Sequence, residues 1–423
     1  VNNSRKAFFE WKELGIKERC NYLRKVAQVL KDRKGEFGKL ITIEMGKPIE
    51  ESIPEVEKCA LVCEYYADNG EKFLEDELIQ TENKKSFVTF QPLGIIGCIM
   101  PWNFPFWQLF RFGAPALTVG NTIILKHSSV VPGCALAIED VFKEAGIPKN
   151  VFQNIIGPGK IAERFIPLVD AVSLTGSVEA GIKVAGTASK CLKKFVLELG
   201  GSDPFIVLED AGIKFSCETA IKARFINTGQ SCIAAKRFII VNKRYEEFKN
   251  RIINLVENLK IGDPLDPSTD VGPLVNKQQL NSLQDQLKRG IKQGAKVLTG
   301  GNRVKRKGYF FEPTVVETKS NNVIVKEETF GPLMPLIKVN NEEEAIEEAN
   351  NSEFGLAASI WTRDLEKGER LARKIEAGVV FVNGQVKSDP RLPFGGVKNS
   401  GIGRELSRYG LLEFCNIKSI VIN

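Results

Sequence analysis

Residues 94–126 read G-I-I-G-C-I-M-P-W-N-F-P-F-W-Q-L-F-R-F-G-A-P-A-L-T-V-G-N-T-I-I-L-K and contain two short apolar segments, 94–100 and 122–126. Each segment has the length and composition of a β-strand. Strands that are apolar along their whole length, rather than at alternate positions, are typical of parallel sheets covered by helices on both faces. This stretch therefore predicts an α/β fold.

The alternation of strands and helices continues along the chain. In the first half, strands are predicted at 86–91, 151–156 and 171–175, and helices at 134–145 and 162–168. A second run begins near Leu199, with strands at 204–208 and 237–242 and helices at 213–226, 245–259, 281–293 and 342–350. The first run is predicted to bind a nucleotide, because parallel sheets hold ligands at the carboxyl ends of their strands. The second is predicted to be another α/β unit.

The tail of the chain, residues 413–423, ends as a predicted strand in K-S-I-V-I-N. No hairpin partner lies beside it in the sequence, and an unpaired strand edge must be covered. Its partner is predicted to be the strand at 86–91 or a strand of another subunit.

Length and composition limit the possible functions. The chain has 423 residues, of which 43% are hydrophobic and 26% charged, the balance of a globular protein with two or three domains. Its net charge of +7 comes from basic residues interleaved with acids, and the dense cluster at 303–307 is predicted to lie in a turn, so nucleic-acid binding is not expected. The apolar runs are too short to cross a bilayer, and the first residues lack the apolar core of a signal peptide, so no membrane partner is expected.

The nine cysteines are scattered, and none forms a C-x-x-C pair. With a single histidine in the chain, they do not make a zinc site of ordinary type, so no metal is expected. This cysteine usage indicates a reducing, cytoplasmic setting.

One of these cysteines, Cys232, follows the turn N-T-G-Q-S at residues 227–231, where a predicted helix gives way to a strand. A free thiol has a pKa of ~8.5, so a nucleophilic role needs activation. The only histidine, His127, lies beside Lys126 on the predicted nucleotide side. Any activation of Cys232 must therefore come from another source.

Two further residues are candidates for chemistry. Glu198 ends an apolar strand in F-V-L-E-L-G-G, where desolvation would raise its pKa and suit it to act as a general base. Asn103 lies between two prolines in P-W-N-F-P, which restrict the backbone and suit a rigid oxyanion donor. The alternative interpretations are that Glu198 is a structural acid with its hydrogen bonds satisfied and that Asn103 lies in an ordinary turn.

Two glycine-containing turns follow strands. Gly157 begins G-P-G-K-I-A, a weak match to the dinucleotide fingerprint, and Gly176 precedes Ser177 in L-T-G-S. Ser177 could donate to a phosphate at the helix start or could simply be the N-cap of that helix. Lys126 ends an apolar strand and could contact a nucleotide or face solvent.

Seven motifs in order resemble those of the aldehyde dehydrogenase superfamily: P-W-N-F-P (101–105), I-L-K (124–126), T-G-S-x-x-x-G (175–181), L-E-L-G-G (197–201), G-Q-S-C (229–232), E-E-T-F-G-P (327–332) and P-F-G-G-V-K-N-S-G-I-G-R-E (393–405). The resemblance implies NAD(P)+-dependent oxidation of an aldehyde to an acid. By position it implies that Cys232 is the nucleophile, that Glu198 is the general base, and that Asn103 holds the oxyanion together with the backbone N–H of Cys232.

The resemblance also implies a set of cofactor-binding residues: Lys126, Ser129, Ser177, Gly176, Gly157, Trp102, Glu328 and Phe330. Members of the family that favour NAD commonly carry a Glu where this chain has Ser129. A carboxylate repels a 2′-phosphate whereas a serine donates to it, so NADP+ is predicted to be accepted alongside NAD+.

The implied architecture is a Rossmann-type cofactor domain (1–80 and 93–199), an α/β catalytic domain (200–405), and a small β element for oligomerisation (81–92 and 406–423). A homo-oligomer, either dimer or tetramer, is the expected assembly.

The runs at 102–111, 125–129 and 404–418 most resemble a succinate-semialdehyde dehydrogenase subgroup of bacteria and archaea. In that comparison Arg111 and Ser388 hold the distal carboxylate of the substrate. A second arginine that some relatives carry is replaced here by Ile226, so a broader oxidation of aliphatic or hydroxy-aldehydes such as glyceraldehyde stays open. An acylating, CoA-dependent enzyme is disfavoured by the presence of Glu198. A non-catalytic binding protein is disfavoured because Cys232, Glu198 and Asn103 are all present.

Overall fold

The computed structural model describes all 423 residues. The helices are α1 (Asn2–Glu13), α2 (Ile16–Asp32), α3 (Lys34–Met45), α4 (Ile49–Phe73), α5 (Trp107–Val119), α6 (Pro132–Glu144), α7 (Ile161–Phe165), α8 (Val178–Lys190), α9 (Ile213–Phe225), α10 (Asn242–Glu257), α11 (Lys277–Lys292), α12 (Val323–Lys326), α13 (Glu342–Asn350), α14 (Leu365–Ala372) and α15 (Ser407–Leu412). None of them is both long and apolar enough to cross a membrane.

The strands are β1 (Glu77–Ile79), β2 (Lys85–Pro92), β3 (Ile95–Met100), β4 (Thr122–His127), β5 (Phe152–Asn154), β6 (Ala171–Thr175), β7 (Lys194–Glu198), β8 (Asp203–Val207), β9 (Ala235–Val241), β10 (Lys296–Thr299), β11 (Thr314–Glu317), β12 (Leu333–Val339), β13 (Phe354–Gly355), β14 (Ala357–Trp361), β15 (Val379–Val382), β16 (Val397–Lys398), β17 (Gly401–Ile402) and β18 (Cys415–Ile422). They form three main sheets and one two-stranded pair.

The first sheet has six strands in the order β17-β7-β6-β3-β4-β5, all parallel except the edge strand β17. The predicted strands at 94–100, 122–126 and 171–175 are its central members, and their side chains are almost all buried, as the apolar runs predicted. From β3 the chain adds β4 and β5 on one side and later adds β6 on the other. The strand order therefore reverses between β3 and β6, the position where α/β sheets bind ligands.

The second sheet has seven strands in the order β10-β11-β12-β9-β8-β14-β15, parallel except for β10. Its central strands, β8 and β9, correspond to the predictions at 204–208 and 237–242. This unit confirms that a second parallel α/β layer follows Leu199.

The third sheet is small, with the order β1-β2-β18. The terminal strand β18 pairs antiparallel with β2 over eight residues, from Cys415 opposite Pro92 to Ile422 opposite Lys85. Of the two partners predicted for this strand, the segment around 86–91 is the one observed.

Two predicted elements differ from the structure in a way that local chemistry explains. The helix predicted at 162–168 is α-helical only to Phe165 and continues as a 3₁₀ turn over Ile166–Leu168. Pro167 has no N–H to donate to the carbonyl of Glu163, so the α-helical hydrogen-bond pattern is interrupted there. The strand predicted at 151–156 is limited to β5, although the N–H of Ile155 still donates to the carbonyl of Leu125.

A buried ion pair supports the segment that joins β3 to α5. The ammonium of Lys47 pairs with Glu55, and both side chains are almost fully buried. The other oxygen of Glu55 accepts hydrogen bonds from the N–H groups of Phe106 and Trp107, at 2.9 and 3.0 Å. A carboxylate at this position satisfies orphan donors at the start of α5.

We expect the substitution Glu55→Ala to lower the free energy of unfolding by ~3–5 kcal/mol, because it leaves a buried cation without a partner. Urea denaturation measures the loss. The control is Glu57→Ala, which removes an exposed pair with Lys34 and should cost at most ~1 kcal/mol. Equal losses for the two variants would contradict the importance of the buried pair.

Candidate active site

A cleft of about 220 Å³ lies at the carboxyl ends of β3 and β6, where the strand order of the first sheet reverses. The residues after β3 and after β6 form one wall, and the second α/β unit supplies the other. The cleft brings together seven of the residues predicted from the sequence: Trp102, Asn103, Gly176, Ser177, Cys232, Glu328 and Phe330.

Cys232 lies in a short loop between α9 and β9, as the sequence predicted. Three consecutive residues before it, Asn227, Thr228 and Gly229, have φ values of 50°, 57° and 75°. Left-handed backbone costs ~1–3 kcal/mol at a residue other than glycine and persists only where the surroundings enforce it. This loop is therefore held by its contacts.

The contacts that hold the loop come from three directions. The side-chain amide of Asn227 donates to the carbonyls of Asn103 and Gln230, at 2.8 and 3.1 Å. The backbone N–H of Asn227 donates to a carboxylate oxygen of Glu51, at 2.6 Å. The side chain of Gln230 accepts from the N–H of Val275, at 2.9 Å. The turn that carries Cys232 is thus fixed against both α/β units.

Asn103 lies in a turn after β3 with its amide oriented at both ends. Its nitrogen Nδ2 donates to the carbonyl of Gln230, at 3.1 Å. Its oxygen Oδ1 accepts from Nε2 of Gln108, at 2.8 Å, and both side chains are buried. Nδ2 makes only the hydrogen bond to Gln230, so its second hydrogen is free, and Asn103 lines the cleft.

The sequence analysis did not identify Gln108. It lies five residues after Asn103 and lines the same cleft as Cys232. Its position in the first turn of α5 could have suggested that it faces back toward Asn103. Nothing in the spacing shows that its donor group meets the oxygen of that amide.

The thiol of Cys232 lies in a low-dielectric site with cations nearby. Burial raises the pKa of Cys232 to about 11, while the positive charges of Arg111 and Lys236 act to lower it. Lys236 donates to the carbonyl of Cys232 at 2.7 Å and pairs with Glu328 at 3.0 Å. In the absence of a further cation, Cys232 is therefore a protonated thiol at neutral pH.

Glu198 ends β7 and is buried, as its apolar strand predicted. Burial raises its pKa well above the ordinary value for a carboxyl group, opposed by the positive charge of Arg111. Its oxygen Oε1 has no hydrogen-bond partner and lies close to the backbone of Gly395. A carboxyl group whose proton affinity is raised in this way is suited to act as a general base.

Arg111 lies on α5 and is buried. Its guanidinium pairs with Glu405 and donates from Nη2 to Thr175 at 3.3 Å, while Nη1 makes no hydrogen bond. The pairing with Glu405 gives Arg111 a structural role beside the substrate contact that the resemblance implies. The charge of Arg111 nevertheless acts on both Glu198 and Cys232.

The other residue predicted for the substrate, Ser388, lies in the loop between β15 and β16. Its hydroxyl accepts a hydrogen bond from Nζ of Lys58, at 2.7 Å. Nζ of Lys58 in turn lies over the ring of Trp107. Trp107 precedes Arg111 by one turn of α5. Ser388 and Arg111 are therefore on the same side of the structure, connected through α4 and α5.

The residues predicted for the adenosine side of a cofactor follow β4 and β6. Lys126 is buried near the end of β4, and Ser129 is exposed just beyond it. The hydroxyl of Ser177 accepts from the N–H of Ala180 at 3.2 Å, so its N-cap role is observed. Gly157 lies in the exposed loop after β5, outside the cleft.

The single histidine supports the backbone of the cleft. Nε2 of His127 bonds to the carbonyl of Pro105 at 2.9 Å, and Nδ1 accepts from the N–H of Ser128 at 2.9 Å. Burial lowers the pKa of His127 to about 4. It is therefore a neutral structural residue. No group of three or more His, Cys, Asp or Glu side chains is arranged to hold a metal ion.

A model described as the aldehyde dehydrogenase family matches residues 1–420, almost the whole chain. The chain belongs to the aldehyde dehydrogenase family. Its predicted fold is confirmed by a solved structure of succinic semialdehyde dehydrogenase from Streptococcus pyogenes in complex with NADP+, with a TM-score of 0.97 and 37% identity, covering 100% of this chain and 93% of that one. It is thus an NAD(P)-dependent enzyme that oxidises aldehydes.

Two sequence relatives of this aldehyde dehydrogenase carry more detailed names. One is a probable succinate-semialdehyde dehydrogenase [NADP(+)] from Synechocystis sp., 47% identical, which covers 99% of this chain and 93% of the relative. The other is the succinate semialdehyde dehydrogenase [NAD(P)+] Sad of Escherichia coli, 42% identical, which covers 98% of this chain and 90% of the relative.

The raised pKa of Cys232 predicts how the free enzyme reacts with iodoacetamide. Because the thiolate reacts, we expect the alkylation rate without cofactor to keep rising with pH through 9 and 10, toward the value of about 11. A background of Cys191→Ser removes the other cysteine that is not buried. A rate that levels off near ~8.5, the value for an ordinary thiol, would contradict the prediction.

Proposed function

We propose that this aldehyde dehydrogenase oxidises succinate semialdehyde to succinate with NADP+. The observation that carries the proposal is that a guanidinium, Arg111, lies within electrostatic range of the Cys232 thiol in a buried site. An aldehyde attached to Cys232 would then extend its tail toward a cation, which suits a carboxylate. The names of the two relatives support the same substrate and cofactor.

In the proposed mechanism, the thiol of Cys232 releases its proton to water, and the resulting thiolate attacks the aldehyde carbon to form a thiohemiacetal oxyanion. Two donors face this oxygen: the free hydrogen on Nδ2 of Asn103 and the backbone N–H of Cys232. Donors that are held in place before the reaction stabilise the developing charge without reorganisation, and the hydrogen bonds of Asn103 to Gln108 and Gln230 provide this rigidity.

Collapse of the oxyanion releases a hydride and leaves a thioester on Cys232. A nicotinamide cofactor held in the cleft would supply the acceptor for that hydride. Glu198 then takes a proton from water, which attacks the thioester carbon and frees the acid. Overall, one aldehyde, one water and one NADP+ give one carboxylate, one NADPH and two protons.

The residues at the cleft fit such a cofactor. The N-terminus of α8 opens onto the cleft at Gly176 and Ser177, and N–H groups at a helix start bind phosphate. The rings of Trp102 and Phe330 lie edge to face, with centroids 5.8 Å apart. We propose that these two rings flank the nicotinamide.

The remaining proposed contacts lie on either side of these rings. Glu328 would hold the nicotinamide ribose, while Lys126 and Gly157 would line the adenosine side. Lys236 and the N–H of Gly201 hold the carboxylate of Glu328 inside the cleft, which supports its proposed role.

We further propose the division into a cofactor domain (1–80 and 93–199), a catalytic domain (200–405) and an oligomerisation element (81–92 and 406–423). The strands of the first sheet support it, except that β17 joins that sheet from the catalytic range.

The third sheet supports a homo-oligomer, because β18 carries exposed apolar side chains at Ile417, Val421 and Ile422. A solution mass equal to a single chain of 47.0 kDa would refute this assembly.

The nine free thiols support a reducing, cytoplasmic setting. Export of the tagged protein from its native cell would contradict this location.

The arrangement of Gln108 predicts an unusual pH dependence. In Gln108→Glu, an ionised carboxylate would repel the oxygen of Asn103 and turn its amide away, whereas a protonated one can still donate to that oxygen. We expect kcat relative to wild type to recover as the pH falls from 8 to 6. Asn103→Ala, which lacks the donor, should lose ~10²–10³ in kcat at every pH.

Gln108→Leu is the matched control, since it cannot donate at any pH. Its kcat should be reduced by the same factor throughout the pH range. Parallel pH profiles for the Glu and Leu variants would show that Gln108 does not orient Asn103.

The presence of a serine rather than a glutamate at the exposed position 129 predicts the cofactor preference. We expect a higher kcat/KM for NADP+ than for NAD+, and we expect Ser129→Glu to lower the value for NADP+ at least tenfold. A lost charge-assisted hydrogen bond of ~1.5–3 kcal/mol corresponds to such a change. The value for NAD+ should not fall, which controls for folding. A wild-type preference for NAD+ would refute the proposed cofactor.

A further inference from the structure

Three segments bring polar and aromatic side chains together beside the active site. Lys58 on α4 donates from Nζ to the hydroxyl of Ser388, at 2.7 Å. The same ammonium lies 4.2 Å from the ring centroid of Trp107 on α5. Trp107 and Arg111 are one helical turn apart and therefore share a face of α5.

Lys58 has no carboxylate within ion-pairing distance. The two acids whose charges reach it at longer range are engaged elsewhere: Glu55 pairs with Lys47, and Asp389 pairs with Arg391 at 2.6 Å. Burial and, to a smaller extent, the positive charge of Arg111 lower the pKa of Lys58 to about 8, while Cys59, Glu55 and Asp389 act in the opposite sense. A desolvated ammonium with one neutral acceptor is stabilised when an anion binds to it.

Arg111 already forms a buried ion pair with Glu405, so a substrate carboxylate would have to share its guanidinium with that acid. The position where some relatives carry a second arginine is Ile226, which offers no charge. A dicarboxylate-derived substrate therefore needs another cation near Arg111. Lys58 is the one that the structure provides, since its charge and that of Arg111 act on each other.

We propose that Lys58 is a specificity-determining residue, whose ammonium binds the distal carboxylate of an ω-oxo acid together with the hydroxyl of Ser388. This inference rests on the proposed function. The carboxylate would accept from Nζ of Lys58, from the Ser388 hydroxyl and from the free Nη1 of Arg111, while the aldehyde carbon reaches Cys232. Lys58 takes the place of the missing second arginine.

The test compares succinate semialdehyde with butanal, which has a methyl group in place of the carboxylate. In Lys58→Met we expect kcat/KM for succinate semialdehyde to fall about 10- to 100-fold, the range of a charge-assisted hydrogen bond. The loss should lie mainly in KM. The value for butanal should stay within about twofold, since the neutral tail makes no such bond. Lys58→Arg should retain most of the preference.

The matched control is Lys72→Met, which removes an exposed lysine from the same helix and should leave both substrates unaffected. A second readout is inhibition of butanal oxidation by succinate, which should be competitive in wild type and at least tenfold weaker in Lys58→Met. Equal losses for both aldehydes, or unchanged selectivity and inhibition, would overturn the role of Lys58. If wild-type enzyme shows no preference for succinate semialdehyde over butanal, the proposed function itself fails.

Discussion

The amide of Asn227 is the contact on which the rest of the site depends. It joins the turn after β3 to the loop that carries the thiol, by donating to the carbonyls of Asn103 and Gln230. The loop would not keep its left-handed backbone without such bonds, because Asn227 and Thr228 gain nothing from that conformation on their own. The two main sheets thereby place the amide of Asn103 and the thiol of Cys232 in the same cleft.

Burial raises the pKa of both ionisable groups of the site, with a different consequence for each. It keeps Cys232 protonated and therefore unreactive toward other electrophiles, and it raises the proton affinity of Glu198. Arg111 moderates both effects, and Glu405 limits how far it can do so. The proton affinities of Cys232 and Glu198 are thus set by desolvation and by the charge of Arg111, which acts on both, rather than by a histidine. His127 bonds instead to the backbone carbonyl of Pro105.

Much of this could be predicted from the sequence because local patterns carry it. Continuous apolar runs specified the parallel strands, whereas the prediction of an unbroken helix over 162–168 was wrong, although Pro167 marks the break. Ordered motifs singled out Cys232, Asn103 and Glu198 as candidates, and the structure brings the first two to one cleft. The partners could not be predicted: Gln108 meets Asn103, and Glu405 meets Arg111, through tertiary packing, which leaves no periodicity in the chain. The left-handed turn also escaped prediction, because two of its three residues are not glycine.

The ion pair between Arg111 and Glu405 links distant parts of the chain, as does the bond between Ser173 and Glu405, which spans 232 positions. During synthesis on the ribosome, the first sheet could assemble long before Glu405 emerges. Until then Arg111 would lack its counter-charge and β7 its edge partner β17. Completion of the catalytic centre is therefore a late event of translation, and an interrupted chain would carry a formed nucleotide fold without competent chemistry.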